Sequence, residues 1–160
     1  MILCEMGRSK RAGLRVPVDF EVKCESTAFP VVVGKAVNLS TGGLCLMTEK
    51  PIGTDVQMYL EFLMPTTLNS IKVQGQSVWS SPRNTQARST QGTGIRFIDI
   101  DESSKKMILD YCLKKLYDND FLRREGIMRV LGDIRNLPAE YRLKAYHILI
   151  KKGSKAILPH

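Results

Sequence analysis

The sequence has 160 residues, 43% of them hydrophobic, so it can bury one core and carry a helical appendage besides. Its apolar runs are much shorter than the roughly 20 residues that span a bilayer, and its first residues lack the basic and apolar segments of a signal peptide. We therefore expect a cytoplasmic protein without a membrane span. The formal charge of +8, from 24 Lys and Arg against 16 Asp and Glu, favours an anionic partner.

The cysteines and histidines do not match the common metal or catalytic patterns. The cysteines lie far apart, without a C-x-x-C pair or a nearby histidine cluster, which argues against a zinc site. We expect all four to be reduced thiols: Cys4, Cys24, Cys45 and Cys112. Neither His147 nor His160 has a carboxylate or cysteine at a catalytic spacing, and no glycine-rich phosphate loop is present. The sequence predicts no enzyme, no metal site and no cofactor.

A basic arm, residues 1–15, precedes a region of strand-like alternation. The arm contains four cationic residues and one acidic residue, Glu5. The cationic residues are Arg8, Lys10, Arg11 and Arg15. From Val16 onward, six runs of alternating or continuous apolar residues cover residues 16–24, 31–37, 44–47, 56–62, 71–79 and 93–100. Turns separate them, with polar loops predicted at 65–70 and 80–92. Six such runs predict a mainly β fold, a small antiparallel barrel or sandwich.

The turn between the second and third runs carries the residues of greatest chemical interest. Asn38 and Ser40 have short polar side chains that bond local backbone or a ligand, and Gly43 allows a backbone or a ring to approach closely. Such a turn can seat a flat polar base. The same residues also suit an ordinary hairpin connection, so the motif by itself leaves both interpretations open.

The apolar period changes from that of a strand to that of a helix after Asp101. Residues 101–104 offer N-cap side chains, and a helical stripe follows to residue 116. A second helix is predicted over residues 121–134, and a third begins at Pro138 and ends at Gly153. The pattern predicts three regions: the arm 1–15, a barrel with its closing helix 16–117, and a helical extension 118–160.

The arm, the turn and the last strand together resemble the PilZ family of cyclic di-GMP receptors. That family carries R-x-x-x-R before its first strand and [D/N]-x-S-x-x-G about two dozen residues later. Here Arg11 and Arg15 form the first motif, and Asn38, Ser40 and Gly43 form the second. Residues 94–99 are similar to the family's final barrel strand and residues 76–79 to the strand before it. The resemblance covers about residues 8–117 and implies a six-stranded antiparallel barrel followed by α-helices.

The resemblance implies a bacterial effector that binds cyclic di-GMP. Arg11 and Arg15 would grip phosphate and the Hoogsteen edge of guanine while the arm folds over the ligand. Asn38 and Ser40 would bond guanine and phosphate, and Gly43 would leave room for the ligand. Lys10 would add charge and bear on whether one or two ligand molecules stack, and Arg8 is a further candidate ligand-binding residue. The expected outputs are motility, adhesion or exopolysaccharide control.

Residues 118–160 have no counterpart in that family pattern, and their apolar and basic residues leave two interpretations open. The helices either pack on the barrel or on a second copy of the chain, or they present an output surface to an acidic protein partner. Two rival functions are also carried forward, a basic nucleic-acid-binding barrel and a ligand-independent scaffold. The first is disfavoured because Phe20, Phe62 and Phe97 are predicted to face the core, whereas such barrels expose aromatic residues for base stacking.

Overall fold

The computed structural model describes residues 13–84 and 89–157. Within them, alternating apolar side chains form six strands: β1 Val16–Ser26, β2 Phe29–Ser40, β3 Gly43–Thr48, β4 Gln57–Leu63, β5 Ser70–Asn84 and β6 Ser89–Asp99. The strands pair antiparallel and close into a barrel in the order β1-β2-β3-β6-β5-β4. The predicted six-stranded antiparallel barrel is confirmed.

The barrel core follows the alternation read from the sequence. Val22 and Cys24 of β1 are fully buried, as are the inward residues of β2 to β5 that include Ala36, Leu46 and Leu60. A register shift lies between Pro17 and Phe20, where the inward row of β1 becomes half-buried. Phe20 there stacks on Phe62 with ring centroids 5.1 Å apart. A bulge of this kind bends the strand without breaking the barrel.

The prediction of a loop over residues 80–92 was wrong for its described residues, 80–84 and 89–92. These residues extend strands β5 and β6, with Ser80 opposite Thr93 and Asn84 opposite Ser89. Backbone N–H and C=O groups pair here whatever the side chains are. A segment that extends the hairpin beyond the apolar core needs no apolar alternation, and therefore carries no strand signal.

Helix α1, Glu102–Lys114, closes the barrel. It begins where expected, because the Asp101 carboxylate accepts a hydrogen bond from the Ser104 backbone N–H at 2.6 Å. This bond lowers the pKa of Asp101 below its ordinary value. The buried face of α1 packs near β2, where the Cys112 thiol lies 3.8 Å from the Leu39 carbonyl oxygen.

Three further helices follow a short 3-10 turn at Lys115–Tyr117: α2 Asn119–Glu125, α3 Ile127–Ile134 and α4 Ala139–Ile157. The prediction of one helix over residues 121–134 was wrong, because Gly126 adopts φ 85° and separates α2 from α3. The prediction that Gly153 ends the last helix was also wrong. Glycine costs about 1 kcal/mol in a helix interior, which weakens a helix but does not have to end it.

The helical extension shares its core with the barrel. Phe121, Val130, Ile134 and Ala145 are buried and belong to the same apolar cluster as the barrel interior. The described helices include none long and apolar enough to cross a membrane. The predicted boundary between residues 117 and 118 remains a prediction.

The described cysteines differ in their bonding state. Cys24 and Cys112 are buried free thiols, as expected, and burial raises the pKa of each to about 12. Cys45 is disulfide-bonded, so the expectation of a reduced thiol was wrong for it. Cys4 lies outside the described residues. Because a thiolate is the reactive form, Cys24 and Cys112 are poor nucleophiles at neutral pH.

Candidate functional site

Strand register brings the end of the basic arm to the polar turn. Val16 of β1 pairs with Leu39 of β2, and Pro17 pairs with Asn38. Arg15, one residue before β1, therefore lies at the end of β2 that carries Ser40. Its side chain is half-buried. The remaining predicted arm residues, Arg8, Lys10 and Arg11, lie outside the described residues.

Ser40 shapes the turn that follows it. Its side chain is 7% exposed, and its hydroxyl oxygen accepts a hydrogen bond from the Gly42 backbone N–H at 3.2 Å. The same hydroxyl donates a long bond of 3.5 Å to the Gly43 carbonyl oxygen. The O–H group of a serine can rotate, so Ser40 can give up this weak hydrogen bond and donate to a better acceptor, such as a ligand oxygen.

Gly43 is required by the neighbouring strand. A Cβ atom at this position would lie 2.1 Å from the Ile95 backbone oxygen. Any other residue at position 43 would therefore force β3 and β6 apart. The turn is tied to β6 by a second contact, in which the Phe97 backbone N–H donates to the Gly42 carbonyl oxygen at 2.9 Å. A close approach at Gly43 was expected from the ligand. In the structure, the backbone of β6 is the group that approaches Gly43 closely.

Gly13 lies in sequence between the two motif arginines, and in the structure it lies close to the same turn. It adopts φ 89°, a conformation that favours glycine. A Cβ atom here would lie 2.9 Å from the Thr41 hydroxyl and 3.5 Å from a methyl carbon of Leu137. The arm, the polar turn and the helical extension therefore meet at Gly13.

Leu137 belongs to the connection between α3 and α4. It is 3% exposed, and its backbone N–H donates to the Ile134 carbonyl oxygen at 2.9 Å. Its position beside Gly13 was not predicted, because nothing in the local pattern of residues 135–138 indicates which distant segment they pack against.

Two further polar side chains lie next to the turn on the outer barrel surface. Arg96 of β6 pairs with Gly43 on one side and with Gln76 of β5 on the other. Its side chain is exposed, and its Nη2 donates to Gln76 Oε1 at 3.3 Å. The sequence places Arg96 on the outer face of the last strand, but only the register between β3 and β6 places it beside the turn.

The site has no arrangement typical of metal or nucleophilic chemistry among the residues that the structure describes. They include no group of three or more His, Cys, Asp or Glu side chains placed to hold a metal ion. The lowered pKa values of the exposed carboxylates Asp101 and Asp118 come chiefly from backbone N–H groups at helix starts, a structural role. The polar turn offers hydrogen-bonding groups, and the cationic side chains of Arg15 and Arg96 belong to the neighbouring segments, a combination suited to binding an anion.

The strand aromatics predicted to face the core do so wholly or in part. Phe62 is 3% exposed, and Phe20 and Phe97 are partly buried against the core. Single-stranded nucleic-acid binders instead stack bases on exposed aromatic side chains. This arrangement disfavours the nucleic-acid-binding interpretation.

A model of the PilZ domain family matches residues 8–114. Similar solved structures include the inhibitor of motility MotI/DgrA from Bacillus subtilis, with 13% identity, a TM-score of 0.58 and coverage of 68% of this chain and 52% of that one. The PilZ domain of YcgR from Escherichia coli, solved with c-di-GMP, has 13% identity, a TM-score of 0.56 and coverage of 75% and 96%. K. pneumonia MrkH in its apo state has 15% identity, a TM-score of 0.54 and coverage of 74% and 53%.

These likenesses show a shared fold. The chain spans about half the length of MotI and MrkH. No protein among the curated ones matches the sequence.

Proposed function

Because the chain belongs to the PilZ domain family, we propose that it is a receptor for cyclic di-GMP and acts by binding rather than by catalysis. The observation that carries this proposal is that Arg15 lies beside the turn between β2 and β3, which Asn38 and Ser40 of β2 and Gly43 of β3 flank. Both family motifs are present in the sequence, and the described end of the first, Arg15, lies at the same end of β1, β2 and β3 as the second. The YcgR domain of the same fold was solved with c-di-GMP.

The ligand would be held by complementary chemistry. An arginine fork pairs bidentately with a phosphate or with guanine O6 and N7, and its flat face stacks on a base, so Arg11 and Arg15 suit both parts of the ligand. Asn38 and Ser40 would supply hydrogen bonds from the barrel surface. Lys10 and Arg8 would add positive charge, and the number of ligand molecules bound depends on this arm.

Binding would be passed to the helices through the contact at Gly13. The arm would fold over the ligand, and Gly13 at its described end lies close to Leu137 of the extension. We propose that the helices then present a surface to a protein partner in the cytoplasm, with motility, adhesion or exopolysaccharide secretion as outputs. Helix α4 supports an acidic partner, because its exposed Lys144 and Lys151 and its half-buried Arg142 outnumber its acidic residue, Glu140. A homodimer through the same helices is an alternative arrangement.

Isothermal titration of cyclic di-GMP into the purified chain tests the receptor assignment. We expect saturable heat in the wild type and none in the Arg11→Ala, Arg15→Ala double variant. A folded wild type that gives neither heat nor a thermal shift would refute the assignment. A stable captured partner under those conditions would instead favour the ligand-independent scaffold.

Amide hydrogen exchange with and without cyclic di-GMP tests the link to the helices. Because Gly13 lies close to both Thr41 and Leu137, we expect ligand to slow exchange at residues 41–43 and also at residues 135–137. Slowing at the turn alone would contradict the proposed path to the extension. The double arginine variant is the control, and its exchange should not respond to ligand.

A further inference from the structure

The outer surface of the barrel carries an arginine that neither family motif includes. Arg96 lies on β6 and is exposed, while its neighbour Ile95 is buried in the core. Successive residues of a strand face opposite sides, so Arg96 points away from the barrel interior.

Strand pairing places Arg96 directly beside the polar turn. It pairs with Gly43, and the next residue, Phe97, donates its N–H to the Gly42 carbonyl oxygen at 2.9 Å. Gly43 has no side chain, so nothing from β3 projects between Arg96 and the turn. Neighbouring strands lie about 4.8 Å apart, which puts the Arg96 backbone about 10 Å from that of Ser40.

The side chain of Arg96 is held by its neighbour on the other side. Its Nη2 donates to the Oε1 atom of Gln76 at 3.3 Å. This bond uses one of five N–H donors of the guanidinium and leaves the others for a further acceptor. A partly oriented arginine on a strand loses less conformational entropy on binding than one on a mobile segment.

We infer that Arg96, oriented by Gln76, extends the ligand site across β6 and binds a bidentate acceptor of the cyclic dinucleotide, a phosphate or the Hoogsteen edge of a guanine. This inference rests on the proposed function. The turn and Arg15 contact one part of the ligand from β1 to β3, and Arg96 contacts another from β6. Arginine is suited to this role because its fork matches two acceptor atoms in one plane.

Titration of cyclic di-GMP into single variants tests this role. Arg96→Ala should lower the affinity between about fivefold and about 150-fold, the range of a good bidentate contact. Arg96→Lys should recover only part of the loss, because it keeps the charge and loses the fork. Gln76→Ala should cause a smaller loss than Arg96→Ala.

Lys72→Ala is the matched control, since it removes an exposed cation from the outer face of β5, farther along the strand from the turn. Its affinity should stay within about twofold of the wild type. Wild-type affinity in Arg96→Ala together with lost binding in Arg15→Ala would overturn the role of Arg96 and leave the receptor intact. Equal losses of affinity in Arg96→Ala and Lys72→Ala would mean that any nearby positive charge has the same effect. This outcome also overturns the specific role of Arg96. A wild type that does not bind refutes the receptor itself.

Discussion

Replacing Arg15 with alanine is expected to weaken cyclic di-GMP binding at least about tenfold, equivalent to about 1.4 kcal/mol. Arg15 stands next to the turn because Val16 pairs with Leu39, so its position is set by the barrel. Loss of the guanidinium removes a bidentate donor that no neighbouring lysine can replace. Isothermal titration measures the affinity directly.

The matched control is Arg123→Ala, which removes an exposed arginine from α2 and leaves the barrel untouched. It should bind as the wild type does. Thermal melting of each variant separates lost binding from lost folding, because Arg15 is half-buried. An Arg15→Ala protein that melts normally and binds with unchanged affinity would count heavily against the proposed site.

Replacing Phe121 with alanine is expected to destabilise the whole chain by about 3 to 5 kcal/mol. Phe121 is 1% exposed and belongs to the apolar cluster that also includes the barrel interior. Removing its ring leaves a cavity in a core that the helices and the barrel share. Urea unfolding followed by two probes measures both parts at once.

The two probes report different regions. Trp79, the single tryptophan, lies in β5 and reports on the barrel by fluorescence, whereas circular dichroism reports mainly on the helices. If the helices and the barrel share one core, the unfolding transitions seen by fluorescence and by circular dichroism should coincide, and both should shift together in Phe121→Ala. A shift in the helical signal alone would mean that residues 118–160 fold as a separate domain. Tyr117→Ala, at a residue 63% exposed, is the control and should change stability little.

Local patterns were sufficient to predict the barrel strands and the first helix. Alternation places Val22 and Cys24 inside, and the Asp101 cap begins α1, because both signals depend on residues a few positions apart. The extension of β5 and β6 through residues 80–84 and 89–92 was missed because backbone pairing requires no apolar side chains. The break at Gly126 was missed because a glycine is compatible with both a helix and a turn.

The candidate site was only partly predictable for a related reason. Arg15 comes about two dozen residues before Asn38 and Ser40, and the antiparallel pairing of β1 with β2 brings them to the same end of the barrel. Arg96 and Leu137 reach the same place through long-range packing. No short pattern records which strand lies beside Gly43, so the contributions of β6 and of the helical extension come only from the structure.

The pairing of Gly43 with Arg96 has a consequence for how the protein acquires its site. These residues are roughly fifty positions apart in the chain, and the intervening excursion through β4 and β5 must fold back before β6 can join β3. Long-range pairing of this kind forms late and slowly, because loop closure costs entropy before any contact forms. The complete proposed binding surface therefore exists only in the fully folded barrel, so a bound ligand would select folded molecules and would raise the melting temperature by mass action.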